Sequence, residues 1–224
     1  CQLTAGGCAM PVPLKIDFVS DISCPWCVIG LRALEQAIAR LDGQVAVDLH
    51  FQPFELNPQM PPGGQDIDEH LQQKYGSTPE QAALVRERIR AAGAALGFTF
   101  SLQTRSRIYN TFDAHRLLHW AALEGRQLAL KQALFQAYFT DGEDPSNHQV
   151  LIRAAARVGL DATRAARILD SNEFAAVVRK EQAFYRDQGI HAVPAVIINN
   201  QHLIQGGQPV EVFEQALRQI AGLA

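Results

Sequence analysis

Asp17-Phe18-Val19-Ser20-Asp21-Ile22-Ser23-Cys24-Pro25-Trp26-Cys27 sets two cysteines three positions apart, behind a β-prone run and ahead of a helical one. Residues 14–19 alternate and favour a strand. Beyond the cysteines, Leu31, Leu34, Ile38 and Leu41 recur at the spacing of one helix face, and Gly43 ends it. Pro25 suits the first turn of that helix, where its missing N–H has no intrahelical role. Chemistry follows from the junction. The free N–H groups of the first turn can stabilise a thiolate on Cys24. The spacing also brings Cys27 close enough to close a disulfide with it. Cys24, at the tip, is expected to be exposed and nucleophilic; Cys27, one turn in, to be buried and to resolve a mixed disulfide.

Working outward, Val45, Val47, Leu49 and Phe51 alternate as in a half-buried strand, so the first part reads β-α-β. The Pro/Gly cluster of residues 57–64 breaks the pattern, and helical signals then run to about residue 188. Thr78-Pro79-Glu80-Gln81 offers an N-cap, a proline and a capping-box glutamine. Ser146-Asn147-His148-Gln149 repeats that logic, and Gly97, Gly125 and Gly159 sit where helices should stop. Phe174, Val177, Val178 and Phe184 are expected to line a last helix of this block, ending at Gly189. The tail returns to strands at residues 195–198 and 201–204 around Asn199-Asn200. A final helix follows, with Val212, Phe213, Ala216, Leu217 and Ile220 on one face.

A chain of 224 residues, 47% of them hydrophobic, can bury a sizeable core. A formal charge of −3 provides no global attraction to nucleic acid or anionic membrane, and no apolar run is long enough to span a bilayer. Four cysteines are too few for a disulfide framework. Cys1 and Cys8 lie in a small-residue tail ahead of Met10 that has neither the basic nor the apolar region of an intact signal peptide. That tail, residues 1–12, is expected to be disordered or expression-derived, and the location cytoplasmic by default. A lone C-x-x-C could be half of a zinc site, but no second pair occurs, so no metal and no cofactor are expected. Beside a β-α-β pattern, C-x-x-C is a redox signature.

Asp17 to Cys27, together with Phe51-Gln52-Pro53-Phe54-Glu55-Leu56-Asn57-Pro58, resembles the FrnE-like branch of the DsbA family. So do His115-Arg116-Leu117-Leu118-His119-Trp120-Ala121, Gly189-Ile190-His191-Ala192-Val193-Pro194 and Gly206-Gly207-Gln208-Pro209. The resemblance implies an α/β chain with a thioredoxin fold and an inserted α-helical domain. Residues 13–63 and 189–224 would form the thioredoxin-like part and residues 64–188 the insert. It implies a cis Val193–Pro194 bond facing the dithiol, with Val193 offering its backbone to a bound peptide. The implied activity is thiol–disulfide exchange catalysed by Cys24 and Cys27. The implied partners are protein or peptide thiols and disulfides, with glutathione a further one, and neither nucleic acid nor membrane. Pro25, Trp26, Val193, Pro194 and His115 are the candidate substrate-binding residues, His115 because the resemblance puts its helix over the cleft. The same superfamily contains glutathione-dependent isomerases and kappa-class glutathione transferases, the alternative reading. Those relatives typically carry serine in place of Cys24 and lack the second cysteine.

Weaker constellations remain. His115 and His119 are spaced for a metal, but one packed and one solvated histidine is the plainer expectation. Asp17 and Asp21 precede the dithiol, where a buried acid can pass a proton. The strand register leaves both open, with Asp21 expected in a solvated loop. Phe54, Trp26 and Tyr109 could line a peptide site or belong to the core.

Overall fold

The computed structural model describes residues 10–101 and 105–223. In chain order it holds β1 (Val12–Ser20), α1 (Pro25–Arg40) and β2 (Val45–Pro53). A largely helical stretch follows: β3 (Gln65–Asp66), α2 (Ile67–Tyr75), α3 (Pro79–Ala95), β4 (Arg107–Ile108), α4 (Phe112–Leu123), α5 (Gln127–Phe135), α6 (His148–Arg157), α7 (Ala162–Leu169) and α8 (Ala175–Asp187). The chain closes with β5 (Ala195–Ile198), β6 (His202–Gln205) and α9 (Val210–Ile220).

The main sheet has the order β2-β1-β5-β6. β1 and β2 are parallel, from Val12 opposite Val45 to Ser20 opposite Pro53, so α1 is their crossover. β5 lies antiparallel on the other side of β1, with Ile16 opposite Ile198, and β6 pairs with β5. Asn199 and Asn200, both at positive φ, make the tight turn between those two strands. Alternation along β1 sorts its side chains. Leu14, Ile16 and Phe18 join the core under α1 with Leu31, Leu34, Phe213 and Leu217, whereas Val19 meets Phe54, Tyr185, Ile190 and Ala195 on the opposite face.

The helical stretch shares that core. Leu117 and Leu118 of α4 and Leu130, Leu134 and Phe135 of α5 pack in the same buried cluster as α1. Gln127 fastens α5 to the outer edge of β2: its Oε1 accepts from Phe51 N at 2.9 Å and its Nε2 donates to Phe51 O at 3.0 Å. One side-chain amide thus substitutes for a neighbouring strand.

Several local expectations need correction. β1 begins at Val12, so the strand takes the last residue assigned to the tail; Cys1 and Cys8 lie outside the described residues. The short antiparallel pairing of β3 with β4 was not anticipated in a helical block. Thr78 and Gln81 do form the capping box, but α6 is capped by Asn147, because Ser146 turns back to Asp144. Phe184 and Val212 are exposed. α8 buries Val178, Gln182 and Tyr185 instead, one helix face rotated toward a buried amide. Among the described residues, no helix is long and apolar enough to cross a membrane.

Candidate active site

Cys24 is the N-cap of α1, in extended geometry, and Cys27 lies one turn in. Both are free thiols. Cys24 is buried, 4% exposed, rather than open at the helix tip as its position suggested. The cause lies far along the chain. The segment leading into β5 crosses the helix tip, and Cys24 Sγ donates to the carbonyl of Val193 at 3.6 Å. The Val193–Pro194 peptide is cis.

Two glycines permit this close packing. A Cβ on Gly30 would stand 3.0 Å from Pro194 Cγ, and one on Gly207 would stand 3.0 Å from the Trp26 carbonyl oxygen. Gly206 N also donates to Pro194 O at 2.8 Å, tying the two loops together. Pro25 and Trp26 are half-buried beside them. Cys24, Pro25, Trp26, Val193 and Pro194 therefore converge on one end of α1.

Cys27 is fully buried, and burial pushes its thiol well up from its ordinary value. The hydrogen bond and negative charge of Cys24 push the same way; the Lys131 ammonium and the Asp21 N–H oppose them. A thiol so placed needs help to ionise.

Asp21 is 1% exposed, not solvated. Its Oδ2 accepts from Ser23 Oγ at 3.0 Å and Leu56 N at 2.8 Å. Its Oδ1 accepts from Thr111 Oγ1 at 2.6 Å and lies 3.3 Å from His115 Nε2. That nitrogen is also 2.9 Å from Phe54 O, and two acceptors facing one ring nitrogen require it to carry the proton. Burial alone would raise the Asp21 carboxyl, but the His115 hydrogen bond and charge, Thr111 and the Leu56 N–H hold it below its usual value. Asp17 lies within β1, bound to Lys15 at 2.8 Å and Gln52 at 2.7 Å, whereas Asp21 lies past the strand's last residue, so the end of β1 separates the two acids.

His115 is 2% exposed, and its Nε2 faces Asp21 and the Phe54 carbonyl. His119 turns to Glu181 at 3.4 Å instead of joining it as a ligand. Phe54 is core, and Tyr109 is half-buried against the Tyr138 ring.

Two further residues escaped the sequence reading. Lys131 is fully buried on α5, between the rings of Phe51 and Phe135. Its signal was a lysine one turn from Leu134 and Phe135, on the apolar face of a helix. Glu55 is 3% exposed; Oε2 is held by Arg179 and by Gln182 at 3.0 Å, while Oε1 finds no partner among the described residues.

The DSBA-like thioredoxin domain matches residues 15–218, nearly the whole of this arrangement. The chain belongs to that family. Its fold is therefore the DsbA-like thioredoxin fold, and its class that of the thiol–disulfide oxidoreductases. A probable DsbA oxidoreductase from Streptomyces coelicolor is 32% identical, with a TM-score of 0.86 over 93% of this chain and 90% of that one. The uncharacterized protein YwbO of Bacillus subtilis is 27% identical over 93% of this chain and 96% of its own. The cytosolic disulfide reductase DsbM of Pseudomonas aeruginosa, solved with glutathione, shares the family fold at 17% identity, with a TM-score of 0.64 over 93% and 100% of the two chains.

Proposed function

We propose that the protein exchanges disulfides with protein and peptide substrates, Cys24 attacking and Cys27 resolving. The observation that carries this reading is the pairing of Cys24, at the N-cap of α1 beside the Val193 carbonyl, with a buried free Cys27 one turn below it. Cys24 sits where the free N–H groups of a helix favour negative charge, and its sulfur borders a backbone carbonyl that an extended peptide could pair beside. The Cys24 sulfur attacks one sulfur of a substrate disulfide, and the other leaves with the bonding pair and takes a proton. Cys27 then attacks Cys24, releasing the second substrate sulfur and leaving a Cys24–Cys27 disulfide. The substrate gains two electrons and the dithiol loses them; the reverse sequence oxidises a substrate dithiol.

Pro25, Trp26, Val193 and Pro194 form the rim a substrate would meet. Glutathione, the ligand in the DsbM structure, is a small peptide thiol of the kind this rim could also take. The helical segment of residues 64–188 would select among substrates, since Cys24 and Cys27 both lie outside it. An insulin-reduction assay under a thiol reductant tests the reading: the native protein should turn over, and Cys24→Ser should abolish turnover. Full activity in Cys24→Ser, or a glutathione adduct with no protein-disulfide turnover in the native protein, would overturn it.

A further inference from the structure

We propose that the cavity between β2, α4 and α5 binds a small carboxylate anion with a short apolar chain, Lys131 at its closed end holding the charge. The site is separate from the dithiol, and it stands or falls independently of the function proposed above.

The cavity has a volume of about 150 Å³, and neither cysteine lines it. Its two ends differ in depth. Lys131 and His115 form a fully buried floor. At the mouth, His50 and His119 are half-buried, and Ala122 and Leu123 are exposed. A small molecule can therefore enter from solvent and reach a charged group that solvent hardly touches.

Burying an ammonium is costly unless a counter-charge accompanies it. Lys131 Nζ lies 5.7 Å from the centre of the Phe51 ring and 5.1 Å from that of Phe135. Phe51 is itself part of the cavity wall, so the charged end of the lysine, and not only its stem, borders the space. The ring faces offset part of the cost but carry no net charge. Among the described residues, no carboxylate pairs with this ammonium. Burial lowers Lys131 to about 8, which leaves it cationic at neutrality.

The other ionisable groups of the cavity already have partners. His50 meets Asp48 at 2.8 Å, and His119 meets Glu181, the one carboxylate of the lining, at 3.4 Å. His115 Nε2 faces Asp21 and the Phe54 carbonyl, away from Lys131. The floor is thus positive and short of one anion. Between floor and mouth, Phe51, Leu118 and Ala122 supply an apolar wall. At about 30 Å³ per molecule the space holds roughly five waters, the bulk of a carboxylate with about three or four carbons. Such a ligand would set its oxygens on the ammonium N–H donors and its chain against the apolar wall. Water alone would leave the charge uncompensated, and inorganic phosphate would leave the apolar wall facing polar oxygens.

Titration of the full chain, labelled with ¹⁵N, with sodium butyrate at pH 7 and low salt tests this through amide chemical shifts. Saturable shifts should concentrate on residues 50–53, 115–123 and 127–131. Lys131→Met keeps the apolar stem and removes the charge; it should weaken butyrate roughly tenfold or more, tenfold being about 1.4 kcal/mol. Butyramide, similar in shape but neutral, should give no saturable shifts. Should Lys131→Met fail to fold by circular dichroism, Ala122→Trp narrows the mouth at an exposed position, with Lys131 in place, and should weaken butyrate by a similar factor. The absence of saturable shifts in the native protein would show a cavity that holds water only and would overturn the inference. Butyrate affinity unchanged in Lys131→Met or in Ala122→Trp, or butyramide binding as tightly as butyrate, would overturn it as well. Inorganic phosphate binding as tightly as butyrate would refute the assignment to a carboxylate with an apolar chain.

Discussion

Replacing Asp21 with asparagine keeps the side chain's size and removes its charge, at a point where four donors converge. An asparagine offers one oxygen and one NH2 group. With its oxygen in the Oδ1 place, the NH2 would face the Leu56 N–H, which cannot turn away. With its oxygen in the Oδ2 place, the NH2 faces the Thr111 hydroxyl, which can turn, and His115 Nε2–H, which keeps Phe54 O at 2.9 Å. The second orientation is therefore the cheaper one. Its cost is the loss of charge on the bonds from Leu56 and Ser23 and the reversal of the one with Thr111, about 1 kcal/mol each. Relief of the buried charge returns part of this, leaving a net loss of about 1–2 kcal/mol at pH 7. In a chain of this size that is a melting temperature lower by roughly 2–8 °C.

The pH dependence distinguishes this account from a generic packing defect. Asp21 is held below its ordinary value of 3.8 in the folded state, so its stabilisation is present above that value and fades as pH falls through the folded one. Asparagine does not titrate. The gap between native protein and Asp21→Asn should be full from about pH 5 to 8 and should narrow below about pH 4. Urea denaturation across that range reads it directly. No gap at pH 7, or a gap of constant size down to pH 3, would refute the reasoning.

Three other outcomes follow from the same geometry. Gln127→Ala removes both bonds to the Phe51 backbone and should cost about 1–3 kcal/mol in urea denaturation, without changing the rate at which iodoacetamide alkylates Cys24. Gly30→Val forces a branched side chain into a gap where even a Cβ stands 3.0 Å from Pro194; it should destabilise by about 1–3 kcal/mol and lower turnover on insulin more than on a small disulfide. Phe213→Ala empties a fully buried site between α9 and the sheet and should cost about 3–5 kcal/mol by the same denaturation assay.

Local chemistry made the dithiol, the β-α-β start and the closing strands legible in the sequence. A C-x-x-C after an alternating run and before an apolar helical stripe needs only a dozen residues to be read. The burial of Cys24 was not legible in this way, because it depends on Val193, 169 residues away. The pocket of Asp21 likewise takes Thr111 from 90 residues on and Leu56 from 35, so nothing near Asp21 distinguishes it from a solvated loop acid. Asp17 was ambiguous for a different reason: strand alternation says that two residues four apart differ in setting only once the end of β1 is known. Phe184 was misplaced because periodicity counts apolar residues, whereas α8 buries the amide of Gln182 beside Glu55; on α9 the buried face is that of Val210, Phe213 and Leu217, which leaves Val212 exposed. Lys131 showed as an anomaly on an apolar face, and only the packing of α5 shows it fully buried beside the rings of Phe51 and Phe135.

The division of labour between the two cysteines is tested most directly by trapping. Cys27→Ser and Cys24→Ser would each be incubated with a disulfide-bearing peptide, quenched in acid and weighed intact by mass spectrometry. Cys27→Ser should accumulate a peptide adduct, mapped by digestion to Cys24, because attack proceeds and resolution cannot. Cys24→Ser should carry no adduct on Cys27, since that thiol is fully buried and pushed well up from its ordinary value. An adduct on Cys27 in Cys24→Ser at a comparable rate, or none on Cys24 in Cys27→Ser, would contradict the assignment of Cys24 as the attacking thiol.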